Sequence, residues 1–487
     1  MKKNTPLLVI VFLLFPITLL YGWRVHAPSD DTYIFLVYVR NFLAGNGLTY
    51  NGTVVEGFTS VFWVFLLTLF GALGIPLPEL AAGLSMVSAL LALLATYRLA
   101  VSMGIQPGWA ALMPPFLLAL TGDFAFYSVV GLEEVLFTAL AAFNLSLLLS
   151  KPVKSLFRTN YYPALLAVMV LTRPEGALIC ALFFLMVLKR ETLPLILQCG
   201  VKLSLFLLPV IVAKWAYYGY WLPNTWYVKG GTGLANAGQG LVYVLFNGGR
   251  YVSVLVVLAA LVVLMKYRRQ PLPVQQIAPA ALIVTVWLTY ITIQGGDNMV
   301  GGRFFLPILP MMYGMLIKMI QEARLGQTAM LVTSFALGIL LFLAYVTSPG
   351  IKAQANSWRE VFETRKKAGL YLREHYPPDT LVALNQAGII PYYSQLPTID
   401  MLGLNDVYIA HHGKRDYRLW YAHQAGDGDY VLSRKPDIII FGGRGLNAQP
   451  GEFISDREIW ASEQFQNEYV LTEWEGIGPV YVRKDSQ

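Results

Sequence analysis

About eleven apolar stretches of roughly 12 to 23 residues dominate this chain, and most of the loops between them are short. A stretch of that kind can sit in hydrocarbon only if it satisfies its own backbone, as an α-helix does. The sequence therefore reads as a polytopic α-helical membrane protein. Composition agrees. Of 487 residues, 56% are hydrophobic and 13% charged, against about 25% charged in a soluble domain.

The stretches fall at Pro6 to Tyr21 and near 79–101, 109–128, 132–150, 161–172, 176–188, 194–216, 245–265, 277–294, 303–320 and 327–346. Lys and Arg gather between them, at Lys2-Lys3, Lys151/Lys154/Arg158, Lys189-Arg190, Lys266/Arg268/Arg269 and Lys318/Arg324. With the N-terminus inside, this count makes every one of those loops cytoplasmic. The net charge of +7 is thus a topology signal and not a nucleic-acid patch. Val25-His26-Ala27 mimics a cleavage box, but Pro28 follows it, so the first stretch is read as a retained span. Thr59 to Ile75 is also apolar. A crossing there would turn the later basic loops outward, so it is read as a helix on the outer surface. The pair flanking Thr172 to Gly176 is too short for two ordinary spans and reads as broken or re-entrant.

The chain divides in composition near residue 347. Residues 1–347 form the membrane domain, with a first outer loop at 24–78. Residues 348–487 are polar and contain no span, and an odd number of crossings puts them outside. They read as an α/β domain. Trp358 to His375 is helical, Thr380 to Leu384 and Asp437 to Phe441 are buried strands, and Tyr469 to Trp474 with Val480 to Arg483 forms a hairpin. Cys180 and Cys199 lie in or near apolar spans and make no disulfide framework.

Chemistry concentrates in the loops assigned to the outside. Asp30 and Asp31 follow the first span and fall just beyond the bilayer, where a membrane enzyme can use carboxylates on a lipid-borne substrate. A helix starting near Thr32 and ending at Gly45 or Gly47 places Asp30, Tyr33, Val37 and Arg40 on one face. Asp30 can equally serve as its N-cap, with Asp31 in its first turn. Glu56 is a second acid or a charge near the start of the next helix, which Thr59 or Ser60 opens. Arg173 and Glu175 interrupt an apolar hairpin, as a mutual ion pair or as ligand contacts. Gly295-Gly296-Asp297 and Gly301-Gly302-Arg303 suit an anion, unless Asp297 pairs with Arg303. Trp221 to Lys229, containing Asn224, forms an aromatic loop that fits an interfacial belt or a sugar face, with Lys229 near a phosphate. Glu133 and Glu134 lie at a tight turn where they can join a site. No zinc-type spacing, P-loop or strand-borne GxGxxG is present in the sequence.

These residues form a recognisable pattern. Asp30-Asp31-Thr32-Tyr33-Ile34, Tyr38-Val39-Arg40-Asn41, Gly45 to Asn51 and Val55-Glu56-Gly57-Phe58-Thr59-Ser60 resemble the first outer loop of GT-C glycosyltransferases. That superfamily includes the terminal arabinofuranosyltransferases of mycobacterial cell-wall arabinan. Thr172 to Gly176, Leu222 to Thr225, Gly295 to Arg303, Asn385 to Gly388 and Asp400 to Asp406 fit as well. The resemblance implies a polyprenyl-phosphate-sugar donor, a glycan or glycoprotein acceptor, and a place in the bacterial cytoplasmic membrane among its lipids. It gives the base role to Asp30 or Asp31. Tyr33, Arg40, Glu56, Thr59, Arg173, Glu175, Asn224, Lys229, Asp297 and Arg303 become substrate-binding candidates. A divalent cation is compatible with it, its ligands unassigned. A transporter for polyprenyl-linked sugars is the competing reading, although no inverted repeat is visible.

Overall fold

The computed structural model describes residues 5–25, 28–229, 236–297, 299, 301–347, 349–419, 423–443 and 445–486. Lys2, Lys3, His26 and Ala27, used above for topology, lie outside the described residues. Seven described helices are long and apolar enough to cross a membrane: Thr5–Val25, Leu77–Ser102, Leu193–Tyr218, Ala237–Tyr267, Val274–Gln294, Arg303–Glu322 and Gln327–Val346. Shorter apolar helices span Val61–Gly71, Trp109–Ala119, Glu134–Ser150, Tyr161–Thr172 and Gly176–Met186. The protein is a polytopic helical membrane protein.

By internal contacts the chain forms two compact units. One contains Met1–His26, Ala82–Val210 and Gly240–Ala353; the other contains Ala27–Ala81, Ile211–Gln239 and Gln354–Gln487. The first-loop segment and the segment after residue 210 therefore pack with the C-terminal residues in the second unit.

Leu309–Glu322 is buried along nearly its whole length and forms the centre of the first unit. It packs against Trp109–Ala119, Val252–Tyr267 and Val274–Gln294. Leu193–Tyr218 is the opposite case. Leu197, Val201, Leu205 and Leu208 are all exposed, as expected where lipid replaces protein as the neighbour. Tyr161–Thr172 and Gly176–Met186 have 12 and 11 residues. They rise only about 18 and 16 Å at 1.5 Å per residue, short of a core about 30 Å thick.

The stretch at 109–128 is not one helix. It breaks between Ala119 and Gly122, and a second helix runs Gly122–Tyr127. Gly122 lies against the ring of Tyr345, where a Cβ would collide. The break also turns Asp123 toward Arg250 and Tyr251. An acid in an apolar segment needs such partners, and a straight helix gives way to provide them.

In the second unit, the first-loop helix runs Asp30–Leu43 and so begins two residues earlier than expected. Ser29 precedes it without a side-chain cap bond, so Asp30 is not an N-cap but a first-turn residue. The C-terminal residues add strands β1 (Val382–Leu384), β2 (Thr398–Asp400), β3 (Lys414–Arg415), β4 (Ala425–Gly426), β5 (Ile438–Ile440), β6 (Tyr469–Trp474) and β7 (Gly478–Arg483). Five of them form a sheet of order β2-β1-β5-β7-β6, and β3 pairs with β4 apart from it. β1 runs parallel to β2 and β5, with Leu384 opposite Asp400 and Ile440. The β6–β7 hairpin is antiparallel and continues the sheet through β7 on β5. Ile438, Ile439 and Ile440 are fully buried, as a strand covered on both faces requires.

Candidate functional site

Each unit holds a cluster of chemically able side chains. In the second unit the first-loop helix lies against residues that follow β1. Asp30 Oδ1 accepts from Arg365 Nη1 at 2.9 Å and from the Ile389 N–H at 3.1 Å, while Oδ2 accepts from the Gly388 N–H at 2.9 Å. Tyr33, one turn on, packs its ring against Phe362, Tyr392 and Tyr393. Arg40 donates to the carbonyls of Pro391 and Tyr392 and to Asn51 Oδ1. Burial lowers its guanidinium pKa to about 10. The helix face carrying Asp30, Tyr33 and Arg40 thus forms as the spacing predicts, and all three side chains are engaged by protein. Asp31 is half-buried next to Asp30.

A second line of contacts reaches the end of β2. Asp400 accepts from the Leu402 and Asn405 N–H groups and from Asn405 Nδ2. Burial raises its carboxyl to about 6, against the pull of those donors. Asn405 Oδ1 then accepts from the Tyr38 hydroxyl at 2.9 Å, and the same hydroxyl oxygen accepts from the Gly57 N–H at 2.9 Å. A Cβ at Gly57 would strike Asn405 and Tyr38, so this position in the Val55-Glu56-Gly57 turn has no room for a side chain.

Glu56 is buried and pairs with Lys214 at 2.6 Å. Burial pushes its carboxyl above the usual range, with Lys214 pulling the other way. The Glu56 carbonyl accepts from the Asn224 N–H at 2.8 Å, and Asn224 Nδ2 donates to the carbonyls of Gly403, Leu404 and Asp406. Asn224 therefore joins the two loops. Thr59 is half-buried just ahead of Val61–Gly71, and Lys229 is half-buried at the end of Asn224–Lys229.

The first unit holds a buried ionic cluster. Arg173 meets Glu133 at 3.0 Å, Glu134 at 3.2 Å and Glu175 at 3.0 Å. Arg303 meets Glu134 at 3.2 Å and Asp297 at 2.6 Å. Both guanidiniums also lie over the Phe304 ring. The expected Arg173–Glu175 and Asp297–Arg303 pairs both exist, inside one network that Glu134 bridges. Asn298 lies outside the described residues. If every group is ionised, four carboxylates face two guanidiniums. Glu133 Oε2, Glu134 Oε2 and Glu175 Oε2 are buried without a hydrogen-bond partner among the described residues. Both arginines are already engaged by carboxylates inside the cluster.

Three engaged residues lie outside the candidates that the sequence offers. Asp123 is 1% exposed and accepts from Arg250 Nη1 at 2.8 Å and the Tyr251 hydroxyl at 2.7 Å. Its presence inside an apolar stretch was the available signal, as it was for Lys214. Arg365 sits on an ordinary amphipathic helix, Pro349–His375, and nothing local marks it.

Comparison with known proteins places this geometry in a fold. The chain aligns with ArnT from Cupriavidus metallidurans bound to undecaprenyl phosphate, with TM-score 0.59 and 11% identity over 82% of this chain and 86% of that one. The Archaeoglobus fulgidus oligosaccharyltransferase tethered with an acceptor peptide aligns at TM-score 0.54 and 13% identity, over 99% and 74%. In sequence, 256 residues are 31% identical to the terminal β-(1→2)-arabinofuranosyltransferase of Mycobacterium tuberculosis, 47% of this chain and 39% of that protein. The chain therefore spans well under half the length of that relative. Residues 353–485 match a domain of unknown function (DUF8728). The protein has the GT-C fold, in keeping with the resemblance read from its first loop.

Proposed function

We propose that this protein is an inverting glycosyltransferase that moves a sugar, arabinofuranose first among candidates, from a polyprenyl-phosphate donor to a cell-surface glycan or glycoprotein. The reaction takes place at the outer face of a bacterial cytoplasmic membrane. In this reading the chain crosses about eleven times, and residues 348–487 lie outside. The observation that carries the proposal is the state of the first-loop acids. Asp30 is held by Arg365, Gly388 and Ile389, and the base role is assigned to its neighbour Asp31, the other acid that the first-loop resemblance names. The mycobacterial relative supports the sugar, and the undecaprenyl phosphate bound by ArnT supports the donor class.

Asp31 accepts the proton of the acceptor hydroxyl as that oxygen attacks the anomeric carbon. The bond to the polyprenyl phosphate breaks, and the phosphate leaves with the bonding pair. Phosphate is a good leaving group, so the protein mainly supplies geometry and positive charge. Arg40 and Lys229 are the candidates to neutralise the donor on the side of the base, and Asn224 and Glu56 to shape its loop.

The test is transfer by the purified full-length protein in detergent, from polyprenyl-phosphate pentoses and hexoses to a surface-glycan extract. Product of inverted anomeric configuration with release of polyprenyl phosphate is expected. Intact donor moved across vesicles without cleavage would instead support the transporter reading.

A further inference from the structure

We infer that the C-terminal sheet region, including the matched domain of unknown function, is a clamp that sets the catalytic loop, with Arg365 as its positioning residue. The inference rests on the reading of Asp31 as base. Arg365 is 2% exposed and divides its guanidinium between two acceptors: Nη1 donates to Asp30, and Nη2 donates to the Gly443 carbonyl after β5 at 2.7 Å. The Gly388 and Ile389 N–H groups, at the end of the loop after β1, close on the same carboxylate. Three donors thus hold one side chain at the beginning of a helix.

Consecutive helical residues point about 100° apart. Fixing Asp30 against the sheet therefore fixes the direction of Asp31. Further along the helix, Tyr33 on Phe362 and Arg40 on the Pro391 carbonyl prevent rotation about that anchor. Beyond the helix, the Tyr50 hydroxyl donates to the Ala387 carbonyl at 2.7 Å, and Asn51 Nδ2 donates to the carbonyls of Pro391 and Leu396. The fit leaves no slack: a Cβ at Gly388 would run into the backbone carbonyl of Asp30. Arg365 also pairs its charge with that of Asp30 at 2.9 Å, next to the base. A contact meant only to dock a loop needs neither a buried guanidinium shared with the segment after β5 nor a glycine at this closeness.

The experiment uses the full-length protein and the variants Arg365→Gln, Arg365→Lys and Gly388→Ala. Amide hydrogen exchange over residues 28–43 and 385–394 reads the clamp without any turnover. Exchange in both segments should quicken by about tenfold or more in Arg365→Gln and Gly388→Ala. In the same variants kcat should fall by about 100-fold while donor KM stays within about twofold. Arg365→Lys, which keeps the charge but not the fork, should recover part of the rate. Should the Arg365 variants fail to fold, Gly388→Ala leaves every charge in place and tests the same contact. Unchanged exchange in the two segments would overturn the clamp. Faster exchange with unchanged kcat would overturn the positioning role. A wild type inactive on every donor would end the glycosyltransferase reading and the positioning role with it, and exchange alone would then decide whether the clamp stands.

Discussion

Arg173→Ala will destabilise the first unit by about 3–5 kcal/mol, the cost of stripping one partner from a buried ionic network. Arg173 is the only described cation paired with Glu133 and Glu175, and it shares Glu134 with Arg303. Its removal leaves adjacent Glu133 and Glu134 facing each other with one guanidinium between four carboxylates. It also removes one of the two cations over the Phe304 ring. Arg173→Lys should fall between wild type and alanine, because a compact ammonium lacks the planar fork whose two nitrogens reach Glu133, Glu134 and Glu175 from one position. Thermal melting in detergent, followed by loss of the monodisperse peak, measures both. A melting point unmoved in Arg173→Ala would mean that water already solvates the cluster.

Asp123→Ala is the second large effect, about 3 kcal/mol or more, from orphaning a largely buried guanidinium and a phenol. Arg250 and Tyr251 each lose their partner, at 2.8 and 2.7 Å. The damage extends to Arg303. Gly301 and Gly302 lie directly on the Asp123 carboxylate, and a Cβ at Gly301 would come within 2.8 Å of Oδ1. Gly301 also has φ +79°, which a side chain tolerates poorly. Asp123 therefore shapes the turn that delivers Arg303 to Asp297 and Glu134. Asp123→Asn keeps the shape and one acceptor, and should lose about half as much. Melting curves measure the stability term, and any transfer activity should fall further in the alanine variant than in the asparagine one.

What the sequence disclosed follows from range. The face shared by Asp30, Tyr33 and Arg40 was readable because three- and four-residue spacing is a property of the helix itself. Its partners were not: Arg365 is 335 residues from Asp30, and no local pattern announces it. The same limit explains Glu134. A tight turn flagged it, but only the fold could show that it bridges Arg173 and Arg303. The continuous span expected at 109–128 failed for a related reason. Apolar composition marks burial in lipid or protein, while the break at Thr121 depends on Tyr345, Arg250 and Tyr251, all distant in the chain. Strands β1 and β5 were visible because buried parallel strands are short and branched, as Ile438-Ile439-Ile440 is.

The most direct test of the account compares transfer rate and donor affinity in wild type, Asp31→Asn and Asp30→Asn, measured side by side. Loss of a general base costs about 10²- to 10⁴-fold, so Asp31→Asn should fall into that range with donor binding intact. Asp30→Asn still offers Arg365 an acceptor oxygen, and should retain transfer within about tenfold of wild type while melting earlier. Full activity in Asp31→Asn, together with a dead Asp30→Asn, would contradict the account and make the clamped carboxylate the base.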